Sequence, residues 1–127
     1  MSSTTNVSVN GNQSSVFDMA IFYPGKPANS AIIIRVPFAR TVVFAGNFSG
    51  SYFSASANAT GSTVFDVQKN GSSIGSVTIG AGGITATFAT TSSNPVTFNA
   101  ADVLMIVAPG SADATLSDPG FVLTGTR

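Results

Sequence analysis

Residues 64–79 read VFDVQKNGSSIGSVTI, and this stretch decides the fold class. Phe65 and Val67 alternate with polar residues, as side chains do along a half-buried β-strand. The pair Asn70-Gly71 follows and favours a two-residue type I′ turn, because both central residues of that turn need positive φ. A second β-rich run with Ile74, Val77 and Ile79 follows, and the loop between the two runs could also include Ser72 and Ser73. The stretch therefore predicts a β-hairpin whose inward face carries Phe65 and Val67.

Short β-rich runs lie on both sides of this hairpin, with turn residues about every 8–12 positions and no helical period of apolar residues. Two runs are nearly continuous in apolar residues, AIIIRVPF at 31–38 and VLMIVA at 103–108. We expect both to be buried strands in central positions, and the first to be covered on both faces. Pro37 marks the end of the first run or an edge position. The pattern predicts an all-β, two-sheet antiparallel sandwich, jelly-roll-like in topology, with about nine short strands.

The chain of 127 residues is long enough for one domain, which we place at 16–127. Residues 1–15 form a polar N-terminal arm of Ser, Thr and Asn without any period. Two interpretations of the arm stay open: it lacks a fixed structure, or it pairs with a neighbouring molecule. We expect neither a secretory signal nor a membrane span, since no basic region leads into an apolar one and no apolar run approaches about 18 residues.

The composition argues against catalysis. The chain has no His and no Cys, which removes the commonest general base and the thiol nucleophile. Charged residues make up 8%, and the net charge is zero, so there is no electrostatic footprint for nucleic acid. Lys26 and Lys69 could serve a Ser–Lys pair, but both lie beside turns, where exposed lysines are ordinary. We expect a protein that is not an enzyme and that needs no cofactor.

The acidic residues have two interpretations. Asp102 stands where a turn precedes a strand, and its side chain is expected to accept hydrogen bonds from backbone N–H groups of that turn. Asp113 and Asp118 flank a short loop, but a calcium site needs several carboxylates and carbonyls within one loop. We therefore predict no metal site. The Gly80–Gly83 cluster lacks a following helix, so we interpret it as a hairpin turn and not as a phosphate-binding loop.

So little charge is unusual for a monomer, because charge normally keeps such a protein soluble and protects its sheet edges. Arg35 interrupts the most apolar strand, and we expect it near an interface. We name Arg35, Tyr23 and Lys26 as candidate interface residues and predict a homotrimer. Tyr23, Tyr52 and Phe53 could form an aromatic platform for a sugar, although packing in the core is the favoured interpretation.

Three stretches together resemble a family of bacteriophage and prophage virion surface proteins. They are FYPGKP at 22–27, the hairpin at 64–79, and the run VTFNAADVLMIVAPGSADATLSDPGFVLTGTR at 96–127. Members of that family occur as short stand-alone chains and as C-terminal domains of tail or head-spike proteins. Its usual form has a Gly-Asp turn, and Ala101 replaces that glycine here. The resemblance brings no catalytic residues with it.

What the resemblance implies is a structural protein on the virion surface, assembled in the cytoplasm of the bacterial host. The first expectation is a capsid decoration, or cement, protein that trimerises on the particle and contacts the major capsid protein or other virion proteins. The alternative is a receptor-binding module of a tail fibre or head spike, which recognises polysaccharide on the host surface.

Overall fold

The computed structural model describes residues 15–83 and 85–127. Strands dominate these residues, and the only helical segments among them are the 3-10 turns Gly46–Phe48 and Thr91–Ser93. None of these helical segments is long and apolar enough to cross a membrane. The ten strands are β1 (Val16–Phe22), β2 (Ile32–Pro37), β3 (Val42–Phe44), β4 (Tyr52–Ser54), β5 (Thr63–Lys69), β6 (Ser72–Ile79), β7 (Ala86–Thr90), β8 (Val96–Phe98), β9 (Val103–Val107) and β10 (Gly120–Thr126).

The strands form two antiparallel sheets that pack into a sandwich. Sheet A has the order β1-β10-β3-β8, and β4 also pairs with β10. Sheet B has the order β2-β9-β5-β6-β7. The pairing is nested around the β5–β6 hairpin, because β3 pairs with β8, β2 with β9 and β1 with β10. Such a rolled-up antiparallel ribbon is a jelly roll, and the predicted fold class is confirmed.

The β5–β6 hairpin has the predicted geometry. Its two turn residues, Asn70 and Gly71, have φ values of 52° and 87°, as a type I′ turn requires. Phe65 and Val67 point between the sheets and are 1% and 0% exposed. A strand period of two and one pair of turn residues were enough to place this element correctly.

The core between the sheets is rich in phenylalanine. One group of rings packs around Phe44 and includes a stacked pair, Phe38 and Phe98, with ring centroids 4.7 Å apart. A second group centres on Phe121, which meets Phe53 at 5.0 Å and Phe65 at 5.3 Å, both edge to face. Offset and edge-to-face contacts are the arrangements that aromatic pairs favour. The contact between Phe121 and Phe65 joins a strand of sheet A to a strand of sheet B.

The prediction that both apolar runs form central strands is correct for 103–108 and wrong for 31–38. β9 lies between β2 and β5, but β2 is at the edge of the described part of sheet B. Ile106 lies opposite Ile34 and Val107 opposite Ile32, so Ile33 is the extra residue of a β-bulge. The bulge, not coverage of both faces, explains the run of apolar residues, because it lets Ile33 and Ile34 both contact the core.

Candidate interaction surface

The outer face of sheet A is the surface that points away from sheet B. Its residues come from alternate positions of the strands: Val16, Asp18, Ala20 and Phe22 on β1, Gly120, Val122, Thr124 and Thr126 on β10, Tyr52 and Ser54 on β4, and Val43 on β3. Asp18 is the only charged residue in the five strands of the sheet. Large apolar side chains nevertheless lie in water here: Phe22 is 65% exposed and Tyr52 is 76% exposed.

A groove crosses this face between the two exposed rings, and we call it the aromatic groove. Its volume is about 320 Å³. Phe22 on β1 lies opposite Gly120 on β10, and Gly120 in turn lies opposite Ser54 on β4. In the next row, Val122 lies opposite Tyr52. Because β10 separates β1 from β4, the backbones that carry the two rings are about 10 Å apart across the sheet.

Gly120 makes the floor of the groove. A side chain at this position would stand between Phe22 and Ser54 and would fill the depression. The backbone does not require glycine, since a Cβ atom here would meet its nearest neighbours only at 3.7–4.0 Å, which is ordinary van der Waals contact. The missing side chain therefore shapes the surface and does not relieve strain.

Asp18, the single charged residue of the outer face, already accepts a hydrogen bond within the chain. The Thr124 hydroxyl donates a hydrogen bond of 2.6 Å to the Asp18 carboxylate from the neighbouring strand. No charged residue lines the aromatic groove. The face can therefore bind through apolar contact and aromatic stacking, and it provides almost nothing for charge-based recognition.

The Asp113 carboxylate holds two loops together at one end of the sandwich. It accepts hydrogen bonds of 2.7–3.2 Å from the backbone N–H groups of Thr60, Gly61, Thr115 and Leu116 and from the hydroxyls of Thr60 and Thr115. Thr60 lies 53 positions earlier in the chain, in the loop between β4 and β5. Asp113 therefore connects that loop to the one between β9 and β10.

These contacts also decide the charge state of Asp113. Partial desolvation of the carboxylate by itself raises the pKa, but the hydrogen bonds from Thr60, Thr115, Leu116 and Gly61 together outweigh it and hold the pKa far below its ordinary value. Asp113 is ionised in the folded protein at any ordinary pH. It is a structural acceptor and not a proton donor.

The other two loop acids have the same kind of role. Asp102 accepts from the Asn70 side-chain amide at 3.0 Å and from the Asn99 N–H at 2.8 Å, and these bonds lower its pKa. The predicted role of Asp102 in its turn is thus confirmed. Asp118 accepts from the Ser56 hydroxyl and the Gly25 N–H, both at 2.6 Å, which lowers its pKa as well.

The metal alternative finds no support in the geometry. Asp113 and Asp118 share no partner, and their oxygens point at N–H and O–H donors, which a metal ion would have to displace. Within 15–83 and 85–127, no three His, Cys, Asp or Glu residues come together in a way that could hold a metal ion.

Lys69 does not lie freely beside its turn. Its ammonium donates to the Thr97 carbonyl at 2.6 Å, lies 3.8 Å from an Asp102 oxygen and stands 5.7 Å from the centre of the Phe98 ring. Lys69 thus differs from an ordinary exposed turn lysine, because β8 brings both the acceptor and the aromatic ring to it. These contacts give Lys69 a structural role at the end of the sandwich where β5, β8 and the turn before β9 meet.

Arg35 lies apart from the other two candidate interface residues. Arg35 is exposed on the outer face of sheet B, opposite Met105, and lines a second cleft of about 390 Å³ with Asn70, Gly71 and Val103. Tyr23 follows the end of β1 in sheet A and is half-buried against the core, while Lys26 is exposed in the loop beyond it. The structure does not join them into one surface, and their role at an interface stays a prediction.

The aromatic platform weighed in the sequence is only partly present. Tyr23 and Phe53 pack against the core, as the favoured interpretation stated, whereas Tyr52 is exposed. Its partner across the groove is Phe22, which the sequence reasoning missed. The signal was available, because assigning Phe17, Met19 and Ile21 to the inner face of β1 places Phe22 on the outer face.

Comparisons with known proteins add no relative. No family model, no curated protein and no solved structure matches the chain.

Proposed function

We propose that this protein is a non-enzymatic structural component of a bacteriophage virion, a capsid decoration protein that trimerises on the particle surface and stabilises it. The observation that carries the proposal is the nearly uncharged outer face of sheet A, on which Phe22 and Tyr52 remain in water. A contiguous apolar patch on a small domain marks an interaction site. The resemblance of 22–27, 64–79 and 96–127 to virion surface proteins supplies the context.

The distribution of polar groups supports an assembly role. All five aspartates accept hydrogen bonds within the chain, and the described residues contain one ion pair, between Lys69 and Asp102. The acids hold strands and loops in place and are not gathered around a cleft. A sandwich that is held by such internal hydrogen bonds and has one nearly uncharged face suits a protein that is buried in an assembly and does not turn over a substrate.

A map of the phage particle by electron cryomicroscopy tests this proposal. Density for the jelly roll in hundreds of copies on the capsid is the expected result. About a dozen copies at a tail tip would instead support the receptor-binding alternative. Purified particles that contain no copy of the chain would overturn both.

The alternative function has one observation in its favour. Phe22 and Tyr52 are aromatic rings that stand in water on either side of a groove, and exposed rings can stack on the apolar face of a sugar. A tail-fibre or head-spike module that recognises host polysaccharide would use them in this way. Binding of the wild-type chain to polysaccharide from the host surface, and its loss in Tyr52→Ser, is the result expected from this alternative.

A further inference from the structure

We propose that the outer face of sheet A is the surface through which copies of this chain bind one another. The inference rests on the proposed function, because it supplies the contact that a trimer on the virion needs. In that trimer the face turns toward the threefold axis, where the Phe22 and Tyr52 rings of the copies meet. Four observations support it: the exposed apolar area of the face, its shape, its lack of charge and the scarcity of polar groups in the aromatic groove.

The exposed area of the two rings is a substantial part of the area that a stable interface buries. Phe and Tyr side chains each bury roughly 150–250 Å² when they are fully covered. With exposed fractions of 65% and 76%, the two rings leave roughly 210–350 Å² in water on each copy. A contact between two copies would thus bury about a third of a standard interface of roughly 1,600 Å² through these rings alone. Val16 and Val122, which are also exposed, enlarge the patch along the same face.

The face also offers a projection and a depression that match each other. Phe22 stands out from β1, and Gly120, its direct cross-strand neighbour, leaves the floor of the aromatic groove open. A ring from one copy can therefore fill the groove of the next. Head-to-tail contacts of this kind close into a symmetric ring when the rotation between copies closes, and a threefold rotation gives the trimer.

Charge does not oppose the contact. Two copies that meet through the same face bring together only their Asp18 carboxylates, and each of these already accepts a bond from Thr124. An interface without ion pairs is held by burial of apolar surface, so it should persist at high salt. That distinguishes it from an association through Arg35 and the other cations.

Polar groups in the aromatic groove are too few for specific sugar recognition. Among its lining side chains only Tyr52 and Ser54 carry a hydroxyl, and none carries an amide or a charge. Small-molecule sites fix their ligand through several precisely placed polar groups. A second copy needs none, and for this reason the groove favours self-association over a glycan.

The test is the mass of the purified chain by light scattering, at 0.15 M and at 1 M NaCl. We expect the wild type to form an oligomer in both, and we expect Phe22→Ser with Tyr52→Ser to run as a folded monomer. Ile32→Ser with Val64→Ser is the matched control. It removes two apolar side chains that are 55% and 44% exposed on sheet B, and the oligomer should survive it. Circular dichroism checks that each variant is folded.

A third variant guards against loss of folding in the double mutant. Gly120→Thr fills the aromatic groove at a position where a Cβ atom fits, and it too should yield a monomer. A monomeric wild type overturns the inference, as does a groove variant that remains oligomeric. Polysaccharide binding by a monomeric wild type would assign the face to a glycan instead.

The same experiments separate this inference from the proposed function. If the wild type forms a trimer that the groove variants leave intact, the proposed function stands and the assigned surface is wrong. If the wild type forms a dimer that the groove variants abolish, the surface is right and the threefold arrangement is wrong. If the chain is absent from virions, the proposed function fails whatever its mass in solution.

Discussion

Ala101 stands in a backbone conformation that suits glycine. Its φ is 76°, and a left-handed conformation costs an L-residue roughly 1–2 kcal/mol. The turn is kept because Asp102 accepts from Asn99 and Ala101 donates its N–H to the Phe38 carbonyl at 2.8 Å. The alanine is therefore kept in the turn at the cost of local strain.

Ala101→Gly should therefore stabilise the protein. Relief of the strain is partly offset by the greater freedom of glycine in the unfolded chain, and the free energy of unfolding should rise by up to about 1 kcal/mol. Urea denaturation measures it. Ala100→Gly, one residue away and without positive φ, is the control and should destabilise. A loss of stability in Ala101→Gly would mean that the turn does not hold this conformation.

Asp113 offers a second test at the residue scale. Asp113→Ala leaves four backbone N–H groups without their acceptor, and it should lower the free energy of unfolding by about 1–3 kcal/mol. Asp66→Ala is the control, since Asp66 accepts only from the side chains of Gln68 and Ser73. Thermal melts compare the two, and equal losses would argue against the loop connection.

The low pKa of Asp113 makes stability depend on pH in a defined direction. A carboxyl whose pKa is lower in the folded state than in the unfolded state stabilises the fold above its unfolded pKa of about 3.9. The contribution is lost as the pH falls below that value toward the folded pKa. Asp102 and Asp118 act in the same direction, because their pKa values are lowered too.

We expect the melting temperature of the wild type to fall between about pH 4 and pH 2. Asp113→Asn should melt lower at neutral pH and should lose less over the same range, so that the two curves converge in acid. Parallel curves would show that Asp113 does not titrate with folding.

At the scale of elements, strand β5 gives the sharpest contrast. Phe65 is 1% exposed and packs edge to face on Phe121, whereas its neighbour Asp66 lies on the outer face of sheet B. Phe65→Ala should cost about 3–5 kcal/mol, the usual range for deleting a buried aromatic side chain. Asp66→Ala should cost well under about 1 kcal/mol, as changes at the surface usually do. Thermal melts decide it, and a larger loss in Asp66→Ala would contradict the register of β5.

β2 shows where an element could not be placed from its own sequence. A nearly continuous apolar run is typical of a central strand, but a β-bulge produces the same run at an edge. A central strand and a bulged edge strand differ in which strands lie beside them. For β2 this depends on pairing with β9, which is some 70 positions away in the chain. Arg35 and Pro37, both common devices for protecting an edge, were the local indications of the edge position.

For the whole molecule, self-association has a thermodynamic consequence. An oligomer that dissociates on unfolding melts at a higher temperature when the protein is more concentrated. We expect the wild type to show this rise and Phe22→Ser with Tyr52→Ser to melt at one temperature at all concentrations. Differential scanning calorimetry over a hundredfold range of concentration measures it. A wild type whose melting temperature does not change would contradict the predicted trimer.

The role of the N-terminal arm is also a question about the whole molecule. The arm, except for Ser15, lies outside the described residues, and its role as a clamp on a neighbouring molecule stays a prediction. A chain without residues 1–15 should fold and melt normally and yet fail to load onto particles. Normal loading would reject the clamp, and unfolding on truncation would show that these residues complete the domain.

The local features of this protein could be predicted from its sequence. The β5–β6 hairpin follows from a period of two and an Asn-Gly pair, and the turn role of Asp102 follows from its own neighbours. These conclusions hold because the interactions behind them span only a few residues.

The tertiary structure alone decided which outward-facing residues come together. The alternation along β1 already places Phe22 on the outer face, but β10 must pair with β1, and β4 with β10, before Gly120 and Tyr52 complete the groove. Asp113 likewise meets Thr60 only because two distant loops end side by side. The physical reason is common to both cases: a periodic pattern specifies the two faces of a strand, whereas its neighbours are specified by pairing between residues far apart in the chain.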